Sequence, residues 1–117
     1  MKNKKDFFQE GQVAVEEQTL DGNLTALLYK YSYKRDIHLT TLINKDLKIE
    51  GDDAVDFLME FSSVFDVTID QFPIDDYFYS EGELSNLWIM KLLGLNKNKK
   101  PFYVYQLTEA IKLKKLI

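Results

Sequence analysis

Residues 51–69 run GDDAVDFLMEFSSVFDVTI. Within them Ala54, Phe57, Leu58, Phe61 and Phe65 recur at three- and four-residue steps and make one apolar face, with Asp53, Asp56, Glu60 and Ser63 opposite, which is the pattern of an amphipathic helix. The spacing predicts a helix over Asp52–Phe65. Gly51 precedes it, and Asp52 and Asp53 fall in its first turn, where carboxylates interact favourably with unpaired backbone N–H groups and the helix dipole. Beyond it, Val67, Ile69 and Phe72 sit at alternating or near-alternating positions until Pro73 stops any regular element. Residues 66–73 therefore read as an apolar loop.

Working outward, Ser85 is placed to cap a second helix over Ser85–Leu93, with Leu87, Trp88, Met90 and Leu92 supplying apolar surface and Gly94 fitting a C-terminal stop. Residues 96–100 form a polar, basic loop. Pro101 opens the last segment, in which Val104, Leu107, Ala110 and Ile111 share a helical face and Lys112, Lys114 and Lys115 lie near the C-terminal dipole. Upstream, Leu24, Leu27, Leu28 and Tyr31 suit a helix over Asn23–Tyr31, followed by a loop from Ser32 to Thr40. Asp21-Gly22, set between Val13, Val15 and Leu20 on one side and Leu24 on the other, also fits a hairpin turn, so residues 10–33 admit a helix or a hairpin. The expected fold is mainly α, a bundle of four or five helices, with a short N-terminal hairpin as the alternative for the first segment.

At 117 residues, 45% hydrophobic and 29% charged, the chain has the size of one domain. It contains no cysteine, which removes disulfides, thiolate metal sites and cysteine nucleophiles, and its one histidine, His38, removes multi-histidine metal sites. A net charge of -4 argues against general binding to nucleic acid or anionic membrane. Met1–Lys5 is basic, but Phe7 and Phe8 are followed by Gln9, Glu10 and Gln12, so no signal-peptide core forms. The apolar stretch Leu84–Leu95 is broken by Ser85, Asn86 and Lys91 and is far shorter than the ~20 residues a membrane span needs. A soluble, cytoplasmic protein is expected.

Charge is segregated along the chain. From Gly51 to Glu83 there are carboxylates at 52, 53, 56, 60, 66, 70, 75, 76, 81 and 83 and no Lys or Arg; from Lys91 onward seven lysines face Glu109 alone. On charge alone, mutual compensation across a solvated surface is the favoured reading. The glycines are scattered and begin no phosphate-binding pattern. Asp66, Thr68 and Asp70 have the opening spacing of a calcium loop, but Gln71 and Tyr77 stand where glycine and the bidentate Glu are required. Asp52/Asp56 and Asp56/Glu60 lie one turn apart, a pairing that on an open helix face usually serves solvation. His38 has no definable triad around it, and a surface or packing role is expected. Tyr29, Tyr31 and Tyr33, then Tyr77, Phe78 and Tyr79, then Phe102, Tyr103 and Tyr105 form aromatic groups that suit core filling first and an interaction surface second.

The run Asp46–Ile69, DLKIEGDDAVDFLMEFSSVFDVTI, resembles the second-helix region of acyl carrier proteins. Asp46-Leu47 matches the lead-in, Val55–Phe61 the acidic helix, and Phe65-Asp66-Val67-Thr68-Ile69 the exit. The likeness is nearest to small bacterial proteins of unknown function with a carrier-like layout, whose ending is matched by Pro101, Leu107, Glu109 and Ala110. It spans roughly residues 24–116 and implies a carrier-like domain over 23–117, an N-terminal extension over 1–22 and an insert at about 81–100. Aligning on Phe65–Ile69 places Gly51 where carriers have the serine that receives phosphopantetheine, and Asp52 where they have leucine. Glycine has no hydroxyl to attack phosphorus. Ser62 and Ser63 lie about three turns further along the same helix.

Carrier proteins dock on basic patches of their partners through this helix, so the resemblance implies a binding role for Asp52, Asp53, Asp56 and Glu60 toward a basic protein. The expectation is a non-catalytic protein-binding module without cofactor or metal. The competing expectation is a small acidic immunity protein that neutralises a basic toxin; a neighbouring toxin-like gene would favour it, and lipid or polyketide synthesis genes the first. An enzyme ranks third because no nucleophile, metal set or cofactor loop can be named.

Overall fold

The computed structural model describes residues 20–95 and 98–117. Four helices and one isolated helical turn follow in order: α1 Gly22–Ser32, α2 Gly51–Phe65, the single turn α3 Ile74–Tyr77, α4 Glu81–Leu92 and α5 Val104–Leu113. The fold is a small, mainly helical bundle, and among the described residues the only β pairing is two isolated bridges, Leu42 with Tyr103 and Thr68 with Lys115.

Asp21 settles the first segment. Its Oδ1 accepts from the N–H groups of Asn23 at 2.7 Å and Leu24 at 3.2 Å, satisfying donors that a helix start leaves unpaired. The Asp21-Gly22 dipeptide thus opens α1 and is not the turn of a hairpin; Val13 and Val15, the first strand in that alternative, lie outside the described residues. Leu24, Leu27 and Leu28 are buried against α2, and α1 stops where Tyr33 enters the left-handed region at φ 60° and donates to Tyr29 O.

The predicted faces of α2 are the observed ones. Ala54, Phe57, Leu58 and Phe61 are buried and Phe65 packs against the core at its edge. Phe57 and Phe61 stack at 6.2 Å between centroids, Tyr31 meets Phe57 edge-on at 5.6 Å, and Phe61 meets Phe65 at 5.3 Å. Such ring pairs add to the area they bury. Asp66, at φ 56°, ends the helix. The following loop is apolar as its sequence suggests: Val67 and Phe72 are buried, and the loop holds the C-terminus through Thr68 N–H to Lys114 O and Leu116 N–H to Thr68 O.

A second aromatic cluster joins the loop, the turn and the last segment. Phe102 lies 5.1 to 5.6 Å from the rings of Phe72, Tyr77 and Phe78. Beside it the buried Asn44 donates its Nδ2 to Tyr77 O and Lys100 O, each at 2.7 Å, while its Oδ1 accepts from Phe102 N–H at 3.4 Å. One amide side chain therefore satisfies three backbone groups from two distant segments, as buried polar groups require. Val104, Leu107 and Ala110 of α5 complete the core.

Two expectations need correction. The second predicted helix starts four residues earlier than Ser85: Ser80 is its cap, accepting from Glu83 N–H while the Glu83 carboxylate accepts from Ser80 N–H. This reciprocal capping box leaves Ser85 one turn inside, where its hydroxyl donates to Glu81 O. Gly51, read as preceding α2, is its first residue. No helix among the described residues is long and apolar enough to cross a membrane.

Candidate functional site

The start of α2 is built by the segment that leads into α4. Gly51 has φ +61°, a left-handed conformation that glycine adopts without steric cost, and its N–H donates to Tyr79 O at 2.9 Å. Asp52 N–H donates to the Glu81 carboxylate at 3.0 Å, and Tyr79 N–H donates to the Glu50 carboxylate at 3.0 Å. Glu81 therefore caps α2 from the first turn of a different helix. A Cβ on Gly51 would fall on the Glu81 carboxylate and 3.2 Å from Leu84 Cδ1. There is no space for a side chain at this position while Glu81 stays in place.

Lys99 closes the same corner. Its Nζ donates to Asp75 O at 2.7 Å, lies 3.3 Å from Glu83 Oε2 and sits 5.1 Å from the Tyr79 ring centre. The hydrogen bond from Ser80 N–H, aided by Lys99, holds the Glu83 carboxyl below its ordinary range against partial burial. Glu50 moves the other way: loss of water raises it, more than Tyr79 N–H and Lys99 lower it.

Of the four acidic residues singled out in the sequence, Asp52, Asp53 and Asp56 are exposed. Glu60 is different. Lys30 Nζ sits 2.9 Å from both its oxygens and Tyr31 OH donates to Oε1 at 2.8 Å, so its carboxylate is committed to the contact between α1 and α2. Those hydrogen bonds hold Glu60 below its ordinary range. Burial first, and then the Glu60 carboxylate, push the Tyr31 hydroxyl up to about 12. The free acidic surface is thus three aspartates, not four carboxylates.

The aspartates have apolar neighbours on the same helix. Val55 and Met59 are exposed there, at 42% and 62%, one turn apart and alongside the aspartates, on the side toward the buried face. They form the rim of a shallow groove of about 130 Å³ lined also by Leu58, Ile69, Phe72 and Ile74. That volume is below the ~300 Å³ at which small-molecule pockets begin and suits a single apolar side chain. The signal was present in the sequence, since Val55 and Met59 lie one turn apart at the border between the buried face and the aspartates.

Elsewhere, a wider concavity, about 490 Å³, is lined by Tyr33, Lys34, Arg35, Asp36, His38, Thr41, Asp46 and Leu47. Several of its polar groups are engaged within the chain: His38 Nε2 lies 2.6 Å from Asp36 Oδ1, Asp46 accepts from Leu42 N–H, and Arg35 stacks on Tyr29. His38 is a surface residue, as expected. Among the described residues no group of three His, Cys, Asp or Glu is placed to hold a metal ion.

A family model of proteins of unknown function, DUF1493, matches residues 11–117. The chain belongs to the DUF1493 family. Neither a curated protein nor a solved structure matches it. The DUF1493 match takes in α1 through α5 together with the corner formed by Gly51, Glu81 and Lys99, so all parts of the acidic face and its groove fall within the family domain.

Proposed function

We propose that this DUF1493 protein is a non-catalytic protein-binding module of the cytoplasm, built on an acyl-carrier-like helical scaffold that does not carry phosphopantetheine. It docks a basic partner through Asp52, Asp53 and Asp56, with one apolar side chain of the partner seated between Val55 and Met59. The observation that carries this reading is the arrangement of exposed α2: aspartates along one side of two exposed apolar side chains that border, on their other side, a one-side-chain groove. Interfaces that bind usefully have an apolar anchor at the centre and charge at the rim. The aspartates steer the encounter and set its salt dependence, while Met59 and the groove supply affinity.

Glu81 supports the negative half of the proposal. Gly51 offers no hydroxyl, and the carboxylate lying over it repels a phosphate-bearing reagent. The test has two arms. Incubation with a broad-specificity phosphopantetheinyl transferase and coenzyme A leaves the mass unchanged; a gain of one phosphopantetheine refutes the non-carrier reading. Partners captured from the native host by the parent protein, and lost by Asp52→Lys/Asp56→Lys and by Met59→Ala at moderate salt, support docking through this face. Equal capture by all three refutes it.

A further inference from the structure

Helix α4 is apolar on two sides. Its inner stripe, Leu84, Leu87 and Met90, is half-buried against the rest of the chain. Its outer stripe, Ser85, Trp88, Ile89 and Leu92, follows the i, i+3, i+4, i+7 spacing of a face that is normally buried, yet Trp88 is 67% and Leu92 77% exposed. Leu93 and Leu95, each 63% exposed, prolong the apolar surface beyond the helix end. The sequence assigns Trp88 and Leu92 to the apolar surface of this helix, and within the described residues that surface faces water.

We infer that this outer stripe is the contact between two copies of the chain, with their α4 helices antiparallel about a two-fold axis between Trp88 and Ile89. Area is the first argument. With up to about 250 Å² on a large aromatic side chain, the exposed parts of these five apolar residues total on the order of 600 Å², the top of the range for the largest patch on a monomer. Covering the patch on both copies removes on the order of 1,200 Å², which reaches the lower bound for a specific interface.

Shape and charge select the second copy and its direction. A two-fold contact must be self-complementary. The stripe is small at its N-terminal end, with Gly82 and Ser85, and large at its C-terminal end, with Leu92 and Leu95. Antiparallel pairing sets Ser85 of one copy opposite Leu92 of the other, and Gly82 opposite Leu95; parallel pairing would set large on large. Glu81 and Glu83 are held within the chain by Asp52 N–H, Ser80 N–H and Lys99, so beyond shape the direction rests on the helix dipoles, which antiparallel packing aligns favourably. This surface is on α4 and does not depend on the α2 face docking a partner.

Trp88 is the one tryptophan of the chain, so its fluorescence reports on this stripe alone. For the full chain, the mass by sedimentation equilibrium should rise from one to two copies between low micromolar and near-millimolar concentration. The emission should shift to the blue along the same curve. Leu92→Glu, at a position 77% exposed, should keep the parental circular dichroism and weaken the dimer about tenfold or more. Ser85→Lys, which fills the space for the other copy's Leu92, should do the same. A monomeric mass throughout overturns the inference, whether the emission is that of a water-exposed indole or is blue at every concentration because residues 1–19 cover the stripe. A dimer that either variant leaves intact overturns it as well, since the contact is then on another face or in another register.

Discussion

Gly51→Ser restores the hydroxyl that a carrier protein needs, and the structure fixes what it costs. Serine at φ +61° occupies the left-handed region, a penalty of about 1–2 kcal/mol for a residue with a Cβ. The new Cβ also displaces the Glu81 carboxylate and so breaks its hydrogen bond to Asp52 N–H. Hydrogen bonds to charged groups contribute about 1.5–3 kcal/mol when sheltered; at this exposed corner about 1 kcal/mol is the appropriate figure. The sum is about 2–3 kcal/mol, a large share of the stability of a domain of this size. Urea denaturation of the parent, Gly51→Ser, Glu81→Ala and the double variant measures it. Because the two residues contest one space, the double variant should be more stable than the sum of the single losses predicts, by about 1 kcal/mol. Treatment with a phosphopantetheinyl transferase and coenzyme A should leave Gly51→Ser unlabelled, with any labelling confined to Gly51→Ser/Glu81→Ala. A serine variant as stable as the parent, or strictly additive losses, would refute the account of Glu81 as the group that closes this position.

Asn44→Ala should destabilise by about 2–4 kcal/mol, since it strands Tyr77 O, Lys100 O and Phe102 N–H in a poorly hydrated place; chemical denaturation reads this directly. Glu50→Gln should raise the melting temperature at neutral pH. The folded-state pKa of Glu50 is raised by burial, so the parent loses stability as pH rises from the unfolded carboxylate value through the folded one; the advantage of the variant should vanish below the ordinary carboxylate range, and an advantage independent of pH would contradict this. Asp53→Lys/Asp56→Lys should melt like the parent because both side chains are exposed, whereas adding Glu60→Lys should lower the melting temperature by setting a cation against Lys30 and removing the acceptor of Tyr31 OH. Thr108→Val should stabilise by about 1 kcal/mol: the Thr108 hydroxyl is buried with no hydrogen-bond partner among the described residues, and an apolar group of the same shape has no such group to desolvate.

Local pattern determined much of this protein. The face of α2 was legible because Phe57, Leu58 and Phe61 repeat with the helical period and their burial leaves no second choice, and the end of α4 was legible because Gly94 takes the left-handed conformation at φ 72° that glycine tolerates best. The start of α4 was not read: Ser80 and Ser85 both suit a cap, the apolar run after Ser85 favours the later one, and the reciprocal Ser80–Glu83 hydrogen bonds select the earlier. The choice between a helix and a hairpin at Asp21-Gly22 was not local, because aspartate serves both a turn and a helix cap; the apolar face that follows, packed on α2, selects the cap. Long-range contacts decided the site. Sequence groups Glu60 with the three aspartates by spacing, but only the approach of α1 brings Lys30 and Tyr31 to it and takes it out of the exposed set. Nothing in the sequence places Glu81 over Gly51, thirty residues away, or Asn44 against backbone from Tyr77 and Lys100. Periodicity records which side of an element is apolar, while the partner that covers that side, or caps its end, is set by the meeting of distant segments in space.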